Sequence, residues 1–291
     1  MTSILKARGL AKQYGDFAAL RDVTFTVEPG SIVGLIGPNG AGKTTTLKSI
    51  LGLTDFSGEL DVMGVDPRSG RHLLMEKVCF IADVGVLPRW LKVSDAVDYI
   101  QGVHPRFNRA KAEALIAATD IRPKAKVKEL SKGMVTQLHL ALILAIDVEL
   151  LVLDEPTIGL DILYRKEFYD RLLNDYFDHD TSIIISTHQV EEIESLLSHL
   201  LFINRGEIVL DCAMDDLSER FTQVLVNPES FAAAEALAPL TSKDLLGKKM
   251  MIFEDVNKAQ LANLGELHVP SVSDLFVAKL HRDEKPARGE V

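Results

Sequence analysis

The nine residues Gly37 to Thr45, GPNGAGKTT, carry the strongest chemistry in the sequence. Gly37, Gly40 and Gly42 allow the backbone to turn its N–H groups inward around an anion. A helix that begins inside the run adds about half a positive charge at its first turn. Lys43 reaches toward the β- and γ-phosphates of a nucleotide, and the Thr44 hydroxyl suits Mg²⁺, which prefers hard oxygen ligands. The whole run of Gly37, Pro38, Asn39, Gly40, Ala41, Gly42, Lys43, Thr44 and Thr45 is therefore read as a phosphate-binding loop. Its context agrees with this. The apolar run IVGLI precedes it, and TTTLKSILG follows with Leu47, Ile50 and Leu51 on one face and Gly52 at the stop.

A second run, LLVLDEP, ends a buried strand in two carboxylates. Ligands sit at that edge of an open parallel sheet. Asp154 is suited to hold Mg²⁺, through water. Glu155 is suited to orient, or take a proton from, an attacking water. A third run, TSIIISTH, places His188 where it could reach a γ-phosphate, although a lone histidine at a strand end is as readily structural.

These residues need a scaffold. The unalternating apolar runs at 32–36, 150–153 and 183–186 fit strands buried on both faces, separated by helices, which is an α/β pattern. Residues 4–28 alternate and read as antiparallel strands at the sheet's edge. From about 92 to 146 the chain reads as helical, with a Ser94 cap on VSDAVDYI and a second helix, RAKAEALIAATDI, stopping before Pro123. After about 218, TQVLV, KKMMIFE and ELHVP read as short strands and SVSDLFVAKL as a capped helix. The last ten residues are charged and without apolar period, as in a disordered tail.

Composition sets limits. With 291 residues and 47% hydrophobic content there is ample core for one large domain, or one domain and an appendage. Thirty-two Lys and Arg against 42 Asp and Glu give a net charge of −10. That argues against nucleic acid as partner, since phosphate neutralisation needs clustered cations. The two cysteines, Cys79 and Cys212, have neither disulfide nor metal-ligand spacing and read as buried thiols. MTSILKARGL lacks the apolar length of a signal peptide. The most apolar stretch, 140–146, is far short of the ~20 residues that span a bilayer.

The motifs together, and their order, resemble the ATP-binding cassette (ABC) ATPases. GPNGAGKTT matches the family's phosphate loop, LSKGM (130–134) its signature, LLVLDEP its Mg²⁺-and-glutamate strand, IGLD its dimer-crossing loop and STH its switch histidine. The resemblance covers roughly residues 3–217. It implies an α/β, P-loop NTPase fold with a mixed central sheet, an N-terminal antiparallel β subdomain and a helical insertion at about 84–146. A small α+β module at 218–281 and the tail at 282–291 would follow residues 1–217. It also implies two cassettes packed head-to-tail, with each ATP held between one phosphate loop and the other's signature. Tyr14 would stack on adenine, Asp161 would couple the two sites, and His188 becomes a γ-phosphate contact.

Two departures matter. In LSKGM, Ser131 and Gly133 remain, able to cap the helix, offer a hydroxyl and permit close approach. Lys132 and Met134 replace a Gly and a Gln. Where the family has a Gln after KVCFIA, this chain has Asp83, still a hard oxygen donor for the metal but shorter and negative. Nearby, Trp90, the only tryptophan, stands in a stretch that in the family meets the membrane subunit. It is either an interface anchor or packed on the insertion.

The resemblance implies a Mg²⁺-dependent ATPase subunit that pairs with a second copy or a related cassette and drives a separate transmembrane permease. It would sit in the cytoplasm, peripheral on the inner membrane face. SVSDLFVAKL resembles the ends of drug- or lipid-exporting cassettes and favours export over import. Two other readings stay open: an ATP-binding regulatory module with weak turnover, and a soluble, non-transport ABC protein.

Overall fold

The computed structural model describes residues 3–81, 87–158, 162–176 and 181–284. Before the helical stretch come β1 (Leu5–Tyr14), β2 (Phe17–Val27), β3 (Ile32–Ile36), β4 (Ser57–Val62) and β5 (Val78–Ile81). After it come β6 (Leu150–Asp154), β7 (Ser182–Thr187), β8 (His199–Asn204) and β9 (Glu207–Ala213). The C-terminal part adds β10 (Phe221–Val226), β11 (Thr241–Leu245), β12 (Lys248–Glu254) and β13 (Gly265–His268).

The central sheet has the order β5-β6-β7-β3-β8-β9, parallel except for β9, which runs antiparallel to β8. The apolar runs read as strands are β3, β6 and β7, which lie side by side, and every residue of all three is buried. Alternate side chains feed two cores. Leu151, Leu153, Ile183, Ile185 and Phe202 pack on one face with Leu140, Leu144 and Phe168 from helices 132–144 and 162–171. Val33, Leu35, Val152, Ile184 and Leu201 pack on the other with Leu47 and Ile50 of helix Lys43–Ile50. Each such side chain contributes about 1.5–3 kcal/mol on burial, so the strand ends that carry the polar groups are held rigidly.

The alternating N-terminal strands do not extend the central sheet. They form their own antiparallel sheet with β4, in the order β2-β1-β4. Its inner face, with Leu5, Leu10, Val23 and Phe25, joins the second core. The sequence pattern gave the strands and their alternation, but not the sheet in which they pair.

The helical stretch contains Val93–Val103, Arg109–Ala117 and Lys132–Leu144. Ser94 is not the cap of the first. Lys92 occupies the N-cap position, and the Ser94 hydroxyl bonds Asp95 inside the helix. Asn108 caps the second by accepting from the Lys111 N–H. C-terminally, β11-β12-β10-β13 form an antiparallel sheet. Helix Val272–Glu284 places Val272, Leu275 and Ala278 in the first core. Ser271 caps this helix through the Asp274 N–H, and the helical backbone continues to Glu284, into residues expected as tail. Residues 285–291 lie outside the described residues. No helix among the described residues is long and apolar enough to cross a membrane.

Candidate functional site

Three adjacent parallel strands deliver the motifs to one edge. In register, Asp154 on β6 lies beside Ser186 on β7, and Ser186 beside Leu35 on β3. The phosphate loop leaves β3 immediately after. The Gly37 N–H is not turned inward as expected. It donates to the Thr187 carbonyl (3.3 Å), and a Cβ at Gly37 would stand 2.4 Å from the Ile203 carbonyl oxygen, so glycine is required there for packing. Gly42, with φ of 113°, is the position that needs glycine's conformational freedom. Beyond it, the N–H groups of Gly42, Lys43, Thr44 and Thr45 donate to no acceptor among the described residues, and no side chain caps the helix. Four aligned donors at a helix start form an anion cradle.

The Lys43 side chain is only 6% exposed. Its ammonium donates to the Gly37 carbonyl (2.7 Å) and the Pro38 carbonyl (3.3 Å), and pairs with Glu155 Oε1 at 3.1 Å. The other Glu155 oxygen meets His188 Nδ1 at 2.9 Å. Glu155 thus bridges the loop lysine and the strand-end histidine. Its backbone is left-handed, with φ of 49°, an uncommon state for a side chain of this size. The Glu155 N–H is held by both the carbonyl and the hydroxyl of Ser186, each at 3.1 Å. The same hydroxyl donates to Asp154 Oδ1 at 2.5 Å. Ser186 therefore positions both carboxylates. Its type and position in TSIIISTH carry no motif signal of their own. The signal lay in the β-register rather than in the motif.

A cavity of about 230 Å³ is lined by Tyr14, Phe17, Ala19, residues 39–45 and Glu155. Sites that enclose a whole drug-sized ligand run to ~300–1,000 Å³, so this cavity is too small to enclose a whole nucleotide. Tyr14 and Phe17 pair across a two-residue hairpin turn, 49% and 60% exposed. Phe17 is not among the residues the sequence motifs single out; its signal is an aromatic placed symmetrically to Tyr14 across the Gly15–Asp16 turn. A larger cavity of about 860 Å³ beside β1 and β4, lined by Lys6, Arg8 and Asp61 among others, contains none of the motif residues.

The LSKGM helix does not reach this cavity. Ser131 caps its own helix, accepting from the Met134 N–H at 3.2 Å, and remains exposed. Gly133 is buried, and a Cβ there would lie 2.2 Å from the Tyr164 ring. The glycine permits close approach as expected, but the approaching group here is the chain's own Tyr164. Met134 is half-buried against the helical core around Val93 and Leu138, so its side chain packs where a Gln would reach for a polar contact. Asp83 and Asp161 lie outside the described residues. Arg165, just beyond Asp161, bonds both Gln189 and Glu192 and ties that helix to the segment after His188.

Comparison with known proteins gives the lineage. The ABC transporter family profile matches residues 20–158. The chain is 34% identical over 224 residues to the Nod factor export ATP-binding protein I of Cupriavidus metallidurans, covering 72% of this chain and 71% of that protein. The chain belongs to the ABC transporter family of ATP-binding proteins. The ABC transporter ATP-binding protein YtrB of Bacillus subtilis is 29% identical, over 76% of each chain. A solved ATP-binding subunit of an ABC transporter superposes with a TM-score of 0.65 at 25% identity, covering 75% of this chain and 92% of that one. The central sheet and phosphate loop described above are the P-loop NTPase fold of this family. Within this ABC protein, Trp90 is 72% exposed, so it does not pack on the helical insertion.

Proposed function

We propose that this chain is the ATP-hydrolysing subunit of a membrane exporter whose permease is a separate chain, and that it acts as a head-to-tail pair of cassettes. The observation that carries hydrolysis is the Lys43–Glu155–His188 contact at the mouth of an uncapped helix. ATP phosphates would take the free N–H groups of the loop and the Lys43 ammonium, displacing Glu155 from Lys43. Glu155 is then free to orient the attacking water and accept its proton while the bond to ADP breaks, and His188 can turn to the γ-phosphate. Thr44, exposed at the helix start, and Asp154, which keeps an oxygen clear of Ser186, are a hard-oxygen set fitted to Mg²⁺. Bound there, Mg²⁺ would supply charge neutralisation on the phosphates. Asp83 is a further candidate in this set. Tyr14, with Phe17 beside it, is placed to stack on adenine.

The dimer reading rests on the separation of Ser131 and Gly133 from the cavity. A second chain would bring its Ser131 hydroxyl and signature-helix N-terminus to the γ-phosphate, and Asp161 would couple the two sites. Two-fold pairing is the default for such an assembly. Export is supported by the Nod factor export relative, and the exposed Trp90 surface is proposed to meet the permease on the cytoplasmic side of the membrane.

The test is ATP hydrolysis across a protein concentration series. Specific activity should rise with concentration, and Glu155→Gln should lower turnover by about 10²–10⁴-fold, the usual range for loss of a general base, while ATP still binds. Turnover that is independent of protein concentration would overturn the dimer. ATP binding without turnover in the unaltered chain, even with its permease, would favour the regulatory reading, for which Lys132 and Met134 in the signature are the motive.

A further inference from the structure

His188 leads into two 3₁₀ turns, Val190–Glu192 and Glu194–Leu196. Their internal bonds span three residues: Ile193 N–H to Val190 C=O (3.1 Å), Leu196 N–H to Ile193 C=O (2.8 Å) and Leu197 N–H to Glu194 C=O (3.4 Å). Such turns have poorer hydrogen-bond geometry than an α-helix and occur in short pieces. A segment of this kind takes its position from what its side chains grip.

It is gripped from two sides. Toward the cassette, Gln189 and Glu192 both accept from Arg165. Glu192 Oε2 also accepts from the Thr157 hydroxyl at 3.3 Å. Toward the C-terminus, Glu191 Oε1 accepts from the Ser273 hydroxyl at 2.6 Å, and Glu194 Oε1 from the Val272 N–H at 3.3 Å. Val272 and Ser273 are the first two residues of helix Val272–Glu284. Two carboxylates, three residues apart, therefore meet one helix start, where N–H groups lack partners inside the helix and the dipole favours negative charge. The Ser273 hydroxyl holds the Glu191 carboxyl below the usual carboxylate range. Apolar contacts seat the same helix. Val272, Leu275 and Ala278 share a core with Val190 and Ile193, and the Phe276 ring meets Phe202 edge-on, with centroids 5.2 Å apart.

We propose that Ser273 is a positioning residue for His188: through Glu191, and beside the Glu194 contact, the C-terminal helix holds the segment that sets where the imidazole stands. The proposal rests on the ATPase reading of His188 given above. The C-terminal module thereby tunes turnover from outside the nucleotide site. Glu191 is three residues from His188, and its neighbour Glu192 is fixed to Arg165, so a shift of the helix is passed to the histidine rather than absorbed by slack chain. A misplacement of about 1 Å can cost on the order of 100-fold in rate. Nucleotide binding is left alone, because helix Lys43–Ile50 packs in the other core, across the sheet.

The test uses the full chain. Ser273→Glu sets a carboxylate against Glu191 and should lower kcat about tenfold, with ATP affinity unchanged. Hydrogen exchange of residues 188–196 should quicken, while that of residues 43–50 stays as it was. Ser273→Ala, which only removes the hydroxyl, should lower kcat about threefold and decides the matter if Ser273→Glu unfolds the module. Reversing the pair, with Ser273→Glu and Glu191→Ser together, restores a hydroxyl–carboxylate bond and should recover turnover. A contact that only stabilises the fold would lower Tm and leave kcat untouched, and that result would overturn the proposal. So would a loss of ATP affinity equal to the loss of kcat, or a folded reversed pair that stays slow. If the unaltered chain does not turn over, the ATPase reading fails on its own, and the exchange measurement still decides the contact: unchanged exchange at 188–196 in Ser273→Glu would refute it.

Discussion

Two helix starts in this chain handle their unpaired N–H groups in opposite ways. At Lys43–Ile50 no side chain caps the helix, four N–H groups stay open and a buried ammonium is drawn in beside them. At Lys132–Leu144 the Ser131 hydroxyl satisfies the Met134 N–H, and the Tyr164 ring covers Gly133. The first is arranged for an anion before one arrives. The second is satisfied within its own chain, yet the Ser131 hydroxyl keeps its proton free to donate. The difference supports the proposal that the phosphate loop is the primary binding element and that the signature joins later, at the γ-phosphate held by another chain.

Four substitutions probe that contrast. The largest effect is expected from Lys43→Ala, which removes the buried ammonium beside the open N–H groups and leaves Glu155 with His188 alone. Nucleotide affinity should fall on the order of 100-fold, from about 3 kcal/mol for one partner of a buried pair, as read by calorimetric titration. Ser131→Arg should leave monomer affinity intact and abolish turnover; equal loss of binding in both variants would erase the distinction. A smaller effect is expected at Gly133. Gly133→Ala forces the Tyr164 ring to move and should cost about 1–3 kcal/mol, seen as a lowered Tm. In a Tyr164→Ala background the penalty should vanish, and a persistent penalty would mean the ring is not the cause. The smallest is Ser186→Ala. The hydroxyl's bond to the Asp154 carboxylate is lost, at about 1.5 kcal/mol, while the Glu155 N–H gives up the hydroxyl but keeps the Ser186 carbonyl, so turnover should fall roughly tenfold with little change in ATP affinity.

The same contrast explains what the sequence made legible. The phosphate loop, Asp154, Glu155 and His188 follow strands whose apolar pattern is unmistakable, so their convergence on one sheet edge was legible, whereas a role for His188 came only from the family resemblance. Ser186 acts across a strand pair, Phe17 across a hairpin and Tyr164 across 31 positions onto Gly133. Such contacts depend on register and packing, which one sequence does not display. β11, TSKDL, carries no apolar alternation and is mostly exposed, so it had no strand signal. The N-terminal strands were read correctly in type, but their grouping into a separate sheet with β4 depended on a long-range pairing with residues 57–62.

The most direct test of the central claim, that one chain's phosphate loop works with another's signature, is a mixing experiment with two inactive variants. Lys43→Ala retains its signature and Ser131→Arg retains its phosphate loop. A head-to-tail heterodimer of the two contains one intact site. Equal mixing should restore about a quarter of wild-type ATP turnover, since half the dimers are mixed and each has one of two sites working. A mixture no more active than either variant alone, or a Ser131→Arg chain that turns over normally by itself, would contradict the account.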